Sequence, residues 1–133
     1  MTVVESLRPE FTESFPAAMS QGVLYISIPY RTCGHLCCCG CGQEVITPLS
    51  PAQWSLTYDG EKASLAPSIG NWGLSCQSHY WIHKSKVHWS RRYSPGEIAD
   101  NRERDQQRIE RYSGGTNLGP LARARRGLRA LWR

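Results

Sequence analysis

The sequence predicts a β-rich α+β fold, in which a small antiparallel domain is followed by a C-terminal helix and a basic tail. Short β-branched and aromatic runs recur between turn residues, and the periodicity becomes helical after residue 93. The last residues carry arginine without any acid. A chain of 133 residues is the size of one domain. We therefore expect an N-terminal arm (1–21), a β-rich domain (22–93), a surface helix (94–112) and the tail (113–133).

The β-rich part begins at Gly22. Residues 1–21 carry weak structural signals, so an arm and a first strand both remain open. The run VLYISI that follows is β-branched and aromatic and ends at Pro29, which is typical of a strand. Similar runs follow at 44–47, 54–58, 79–83 and 87–89. Asp59-Gly60 and the stretch 67–71 have the composition of turns between them, so the strands are expected to pair antiparallel.

The helix is predicted from its first residues. Ser94 is followed three positions later by Glu97, which is the pattern of a capping box, and Pro95 suits the first helical position. A helix over 95–112 should follow. Its apolar positions are few and form one narrow stripe, so we expect it to lie on the surface.

The formal charge of +5 belongs entirely to the tail. Residues 1–112 carry equal numbers of basic and acidic side chains, whereas 113–133 carry five arginines. A surface that binds phosphates is itself basic, so nucleic acid is an improbable partner of the body. The tail is predicted to be a solvated segment or a short basic amphipathic helix.

No apolar run approaches the length of a membrane span, and the N-terminus lacks the pattern of a secretory signal, so we expect a cytoplasmic protein without a membrane partner.

The strongest chemical signal is a cluster of cysteines. Five of the six cysteines lie within nine residues, at 33–41, and Cys76-x-x-His79 follows at a distance. Thiolates packed this densely need a cation, and zinc takes four Cys or His ligands from two separated segments. Three alternating cysteines and a fourth ligand from Cys76 or His79 would complete such a site. Buried free thiols are the alternative. A full ligand set leaves no open position for water, so the zinc would be structural and residues 22–93 a zinc-stapled domain.

A nucleophile is less easily chosen. Ser68 lies between Pro67 and Gly70, where small neighbours leave a hydroxyl and backbone N–H groups accessible to a substrate. Histidines such as His35 and His79 flank the cysteine segments and could act as bases, although a structural role is the alternative for each. The common hydrolase, metallopeptidase and nucleotide-binding motifs are absent from the sequence.

Three blocks of the sequence resemble a known family. They are YRTCGHLCCCGCG (30–42), PSIGNW (67–72) and CQSHYWI (76–82). In this order they resemble a family of small bacterial proteins encoded beside a ubiquitin-like modifier and its activating and conjugating enzymes. The resemblance covers residues 22–90 and excludes the helix and the tail. The family pattern has proline at the position of Cys38 and a small residue at that of Cys33, which makes these two thiols spare.

The resemblance implies a serine-type peptidase that matures the modifier or removes it from targets. The system to which it points is one of antiviral defence. The resemblance implies that zinc is bound by Cys37, Cys39, Cys41 and Cys76. It implies that Ser68 is the nucleophile, with Ser78 as the competing candidate, and that His79 or His35 is the base. Asn71 would orient the base or contact the oxyanion.

Two other functions remain open. A non-catalytic zinc module could dock onto the modifier or its enzymes as an adaptor. The basic tail (113–133) could instead bind nucleic acid, in which case the affinity should fall steeply with salt. The partners expected first are a ubiquitin-like protein and its activating and conjugating enzymes.

Overall fold

The computed structural model describes residues 3–114, which form two four-stranded β-sheets followed by one α-helix. The β-rich α+β prediction is confirmed. The basic tail from residue 115 onward, including the amphipathic helix and the nucleic-acid contact considered for it, lies outside the described residues. Within the described range, no helix combines the length and the apolar composition that a bilayer crossing requires.

The first sheet has the strand order β1-β2-β3-β4. Its strands are β1 (Arg8–Phe11), β2 (Val23–Ser27), β3 (Thr32–Leu36) and β4 (Glu44–Pro48). β1 runs parallel to β2, and the other neighbours are antiparallel. Residues 8–11 therefore form a strand, so the N-terminal segment is part of the sheet and not only an arm.

The second sheet is an antiparallel meander in chain order. It contains β5 (Ser55–Tyr58), β6 (Ala63–Gly70), β7 (His79–His83) and β8 (Lys86–Trp89). The predicted Asp59-Gly60 turn joins β5 to β6, and the Asp59 carboxylate accepts two backbone hydrogen bonds within it. This turn fixes the pairing of the two strands.

The two sheets share one hydrophobic core. Its buried side chains include Leu24 and Ile26 from β2, Leu65 and Ile69 from β6, and Tyr80 and Ile82 from β7. Burying an aliphatic or aromatic side chain of this size contributes roughly 1.5–3 kcal/mol. At one edge the Leu7 N–H donates to the Ser85 carbonyl at 2.7 Å, which connects the segment before β1 to the β7–β8 turn.

Two strands were not expected from local composition. The sequence places a turn at 67–71, but residues 67–70 belong to β6. Pro67 and Gly70 are typical turn residues, yet the strand continues through them, because β5 pairs with residues 63–66 and β7 pairs with Ile69 and Gly70. The first part of the cysteine cluster forms β3 for the same reason, because it pairs with both β2 and β4.

The helix α1 (Pro95–Gly114) begins where the sequence predicts. The capping box is formed in both directions. The Glu97 N–H donates to Ser94 Oγ at 3.2 Å, and the Ser94 N–H donates to Glu97 Oε1 at 3.0 Å. Ile98 and Ile109 are buried, while most of the helix surface between them is exposed or half-buried. The helix therefore packs through a narrow apolar stripe.

Candidate active site and metal centre

A serine and a histidine meet on the outer face of the second sheet. The Ser68 Oγ lies 2.7 Å from His79 Nε2. β6 carries the serine and β7 the histidine, so neighbouring strands hold both residues. Ser68 is half-buried and His79 is 5% exposed. The distance is that of a good hydrogen bond and of a nucleophile poised beside its base.

An irregularity in β6 brings the serine to this position. Leu65 pairs with Ile82 and Ile69 pairs with Tyr80, so three residues of β6 lie opposite Trp81 alone. Bulges of this kind redirect a side chain and occur beside active sites. Proline is tolerated at a bulge because its missing N–H breaks no ladder bond. The sequence Ala-Pro-Ser at 66–68 therefore suits the bulge.

The Ser68 backbone is held from the opposite side. The Trp54 indole Nε1 donates to the Ser68 carbonyl at 3.3 Å. This bond ties the segment before β5 to the bulge. Pairing of Ala66 with β5 and of Ile69 with β7 holds the chain before and after the serine.

Aromatic rings enclose the His79 imidazole. The ring centroids of Trp72, Trp81 and Tyr93 lie 5.1, 5.5 and 4.6 Å from that of His79. Trp72 also stacks on Tyr93 at 5.2 Å. A Cβ on Gly70 would lie 2.3 Å from the Trp72 ring, so only glycine leaves room for the indole there. The imidazole orientation is thus fixed mainly by packing.

Burial lowers the pKa of His79 below its ordinary value of 6.5. The Arg91 charge contributes a further, smaller lowering of this pKa. His79 Nδ1 forms no hydrogen bond with the described residues. The imidazole is therefore neutral near pH 7, and its Nε2 can accept the proton of the Ser68 hydroxyl in the tautomer that carries hydrogen on Nδ1.

A cavity of about 100 Å³ opens beside the Ser68–His79 pair. α1 forms one wall, and its Asp105 and Arg108 side chains are ion-paired at 3.0 Å. The lining residues are Gln53, Trp54, Pro67, Ser68, Gly70, Trp72, His79, Asn101, Asp105 and Arg108. Trp54, Gly70, Trp72 and Asp105 also border a groove of about 680 Å³ between α1 and β4. The groove and the cavity therefore share part of their lining.

Four cysteine sulfurs lie together where β3 ends and β7 begins. Cys37, Cys39, Cys41 and Cys76 have all their Sγ atoms within 4.8 Å of one another. The distances from Cys37 to Cys39 and Cys76 are 3.5 and 3.7 Å, and that from Cys41 to Cys76 is 4.0 Å. A tetrahedral zinc–thiolate site with bonds of about 2.3 Å has sulfurs about 3.8 Å apart. The cluster fits a metal ion that prefers four thiolates, and all six cysteines of the chain are free.

The pKa values of the clustered thiols are shifted in different directions by their surroundings. Burial is the largest contribution to the pKa of Cys39 and raises it, but hydrogen bonds from Ser78, Cys41 and Cys37 together outweigh burial and bring the pKa to about 7. Burial raises the pKa of Cys37. The Asn71 side-chain amide donates to Cys37 Sγ at 3.4 Å. A cation would be needed to hold the buried sulfur as a thiolate.

A protein family model covers the part of the chain that contains these residues. The model of the family described as "Bacterial ubiquitination-like system serine protease (BubE)" matches residues 11–90. The chain belongs to the BubE family. The match includes β2 to β8, the Ser68–His79 pair and the four clustered cysteines, whereas α1 lies beyond it. No curated protein and no solved structure matches the chain.

Membership in the BubE family confirms the resemblance seen in the three sequence blocks. It also makes a serine nucleophile the chemistry to look for. Ser78, the competing serine, is nearly buried, and its hydroxyl lies beside the Cys37 and Cys39 sulfurs. Ser68 is the serine that the fold brings to a histidine and a cavity.

The other candidate base lies in the core. His35 is fully buried, and its Nε2 lies 2.7 Å from the Tyr80 hydroxyl. Burial lowers the pKa of His35 to about 4. The fold does not bring His35 to Ser68. Asn71 also contacts this region, because its amide donates to the Tyr80 hydroxyl at 3.3 Å as well as to the cysteine cluster.

The two remaining cysteines of this BubE chain are separate from the cluster. Cys33 and Cys38 are buried in the hydrophobic core, and burial raises the pKa of each thiol to about 12. They behave as small apolar side chains.

Sequence reasoning missed several residues of the site. Gln53 and Asp105 line the cavity, and Tyr93 packs on His79, but none has a recognisable local signal because its position depends on the tertiary fold. Trp72 belongs to the block PSIGNW (67–72), which resembles the family pattern, and this resemblance could have identified it as a site residue.

Proposed function

We propose that the chain is a serine-type peptidase that processes or removes the ubiquitin-like modifier of a bacterial ubiquitination-like system. The observation that carries the proposal is the 2.7 Å contact between Ser68 Oγ and His79 Nε2 beside a cavity. The family to which the chain belongs supports a serine protease. His79 is preferred to His35 as the base because His35 is buried against Tyr80.

The acylation step uses the two side chains in turn. Ser68 Oγ attacks the scissile carbonyl carbon while His79 Nε2 accepts the hydroxyl proton. A tetrahedral intermediate forms, with negative charge on the former carbonyl oxygen. The carbon–nitrogen bond then breaks, the imidazolium returns the proton to the leaving amine, and the acyl group remains as an ester on Ser68.

The deacylation step repeats this chemistry with water. His79 Nε2 takes a proton from a water molecule, and the water oxygen attacks the ester carbon. The carbon–oxygen bond to Ser68 breaks, and the proton returns to Ser68 Oγ. The products are a free carboxyl terminus and an amine, and the enzyme regains its starting state.

The cysteine cluster is proposed as a structural zinc site. Cys37, Cys39, Cys41 and Cys76 would hold the ion, which supplies a positive charge that keeps four thiolates together. Cys76 comes three residues before His79. Fixing it would anchor the start of β7, and with it the histidine, at one end of the domain.

The proposed partners are a ubiquitin-like protein and the enzymes that activate and conjugate it. The groove between α1 and β4 shares part of its lining with the cavity at Ser68. This supports the groove as the place that receives the C-terminal segment of such a protein. A cytoplasmic location and a role in antiviral defence remain predictions.

The experiment uses a bacterial ubiquitin-like protein fused at its C-terminus to a fluorescent protein. The wild-type chain should separate the two parts, and Ser68→Ala should abolish cleavage. Ser14→Ala removes an exposed hydroxyl elsewhere and should cleave normally. A fluorophosphonate probe followed by mass mapping should label Ser68.

Three outcomes would contradict the proposal. A label on Ser78 would move the nucleophile, and a label on a cysteine would replace serine chemistry with thiol chemistry. Intact substrate with every variant, together with stable binding to the modifier, would favour the non-catalytic zinc adaptor.

A further inference from the structure

Gln53 is a buried polar side chain next to the proposed nucleophile. It is 5% exposed and lines the cavity of about 100 Å³ together with Ser68 and His79. It lies in the short turn that connects β4 to β5. The backbone of this turn is held by hydrogen bonds from the Gln53 N–H to the Ser50 carbonyl at 3.0 Å and from the Ser50 N–H to the Trp54 carbonyl at 3.1 Å.

The orientation of the Gln53 amide is set by Ser50. The Ser50 hydroxyl donates to Gln53 Oε1 at 3.0 Å. Among the hydrogen bonds of residues 3–114, this is the one that the Gln53 side chain makes. The Nε2 hydrogens therefore remain available as donors. An amide donor without a protein acceptor is suited to an acceptor that arrives with a substrate.

The position of Gln53 is coupled to that of Ser68. The next residue, Trp54, donates its indole N–H to the Ser68 carbonyl at 3.3 Å. The turn that carries the amide is thus tied directly to the bulge that carries the nucleophile. A donor held in this way needs little rearrangement when charge develops nearby, which is the condition for efficient electrostatic catalysis.

The cavity is lined by polar side chains as well as by Trp54 and Trp72. Negative charge on an oxygen enclosed there would lose water contacts and would need hydrogen-bond donors from this lining. The cation at the rim, Arg108, is paired with Asp105 at 3.0 Å. This pairing reduces the positive charge that the rim can offer.

We propose that Gln53 is a catalytic residue whose Nε2–H donates to the oxyanion of the tetrahedral intermediate. This inference rests on the proposed function of the Ser68–His79 pair. As Ser68 Oγ bonds to the carbonyl carbon, the π electron pair moves onto the carbonyl oxygen, which accepts the amide hydrogen bond. Gln53 transfers no proton, and the bond weakens again when the carbonyl re-forms.

The test compares Gln53→Glu with Gln53→Met, using p-nitrophenyl acetate as a small ester that acylates Ser68. The first change keeps the shape and replaces the donor with an acceptor, and the second keeps the length without polar atoms. Loss of one oxyanion donor lowers kcat by about 10²–10³-fold. We expect a fall in that range for Gln53→Met, at least as large a fall for Gln53→Glu, and a KM within about threefold of wild type, because the interaction exists mainly in the transition state.

Gln107→Glu makes the same chemical change on an exposed part of α1 and should leave kcat unchanged. Circular dichroism checks that each variant folds. If both variants at position 53 fail to fold, Ser50→Ala tests the same idea, because it releases the amide without altering Gln53, and it should lower kcat alone.

The inference is overturned if folded position-53 variants keep kcat within threefold, or if only KM rises. It is overturned equally if Ser50→Ala, used as the substitute test, keeps wild-type kcat. Ser68→Ala separates this failure from failure of the proposed function. If Ser68→Ala is as active as wild type, the nucleophile is misassigned. If Ser68→Ala is inactive while the Gln53 variants are fully active, the role of Gln53 alone is wrong.

Discussion

Gly70→Ala should impair catalysis without touching either proposed catalytic residue. An added Cβ would lie 2.3, 2.4 and 2.6 Å from three atoms of the Trp72 indole. Ordinary contacts between carbon atoms are about 3.5–4.0 Å. The indole must therefore move by about 1 Å or more. The φ of Gly70 is not in the left-handed region, so the substitution adds no backbone strain.

Displacement of the Trp72 indole should affect the active site directly, because the indole packs on His79. The Trp72 ring contacts His79 at 5.1 Å and stacks on Tyr93 at 5.2 Å between centroids. Movement of the indole disturbs the imidazole that lies 2.7 Å from Ser68. A misplacement of about 1 Å lowers activity by up to about 10²-fold, and overpacking destabilises by roughly 1–3 kcal/mol.

The assay is kcat/KM for cleavage of the modifier fusion, with the free energy of unfolding measured in urea. Gly96→Ala is the matched control, because a Cβ there meets no atom within 4 Å, and we expect it to keep full activity. A folded Gly70→Ala variant with kcat/KM within threefold of wild type would refute the view that Trp72 packing positions His79.

Three further predictions concern the metal, the base and the core. Cys39→Ser should lower the bound zinc measured by plasma mass spectrometry well below one ion per chain, whereas Cys38→Ala should retain it; equal zinc in both would contradict the ligand set. Burial lowers the pKa of His79, and the neutral imidazole is the active form of the proposed base. We therefore expect kcat/KM to fall as the pH is lowered, with a midpoint below 6.5. A midpoint above 7 would exclude His79 as the base. Tyr80→Phe removes the partner of the buried His35 Nε2 and should cost about 1–3 kcal/mol of unfolding free energy in urea; a loss under about 0.5 kcal/mol would contradict this.

Much of the fold could be predicted because its signals are local. The β-branched runs became β2, β4, β5, β7 and β8, and the capping box placed the start of α1. β6 could not be recognised in this way. Its Pro67 and Gly70 favour turns locally, and the strand exists because it is paired on both sides and accommodates a bulge.

Part of the candidate site could also be predicted from local sequence, and part could not. The density of cysteines in one segment indicated a metal, since few other arrangements tolerate so many thiols. The contact between His79 and Ser68 depends on the register between β6 and β7, which local sequence does not encode. The burial of His35 against Tyr80 depends on the packing of one sheet on the other. Gln53 has no local signal at all, because its possible role arises from a turn that packs against a different part of the chain.

The cavity has walls of two different origins. Ser68, His79 and Gln53 lie within the region that matches the family, whereas Asn101, Asp105 and Arg108 come from a helix beyond it. Substitutions along the face of α1 that lines the cavity would therefore change one wall of the opening and leave the identities of Ser68, His79 and Gln53 unchanged. If the proposed function holds, this wall is the place to engineer a different peptide preference.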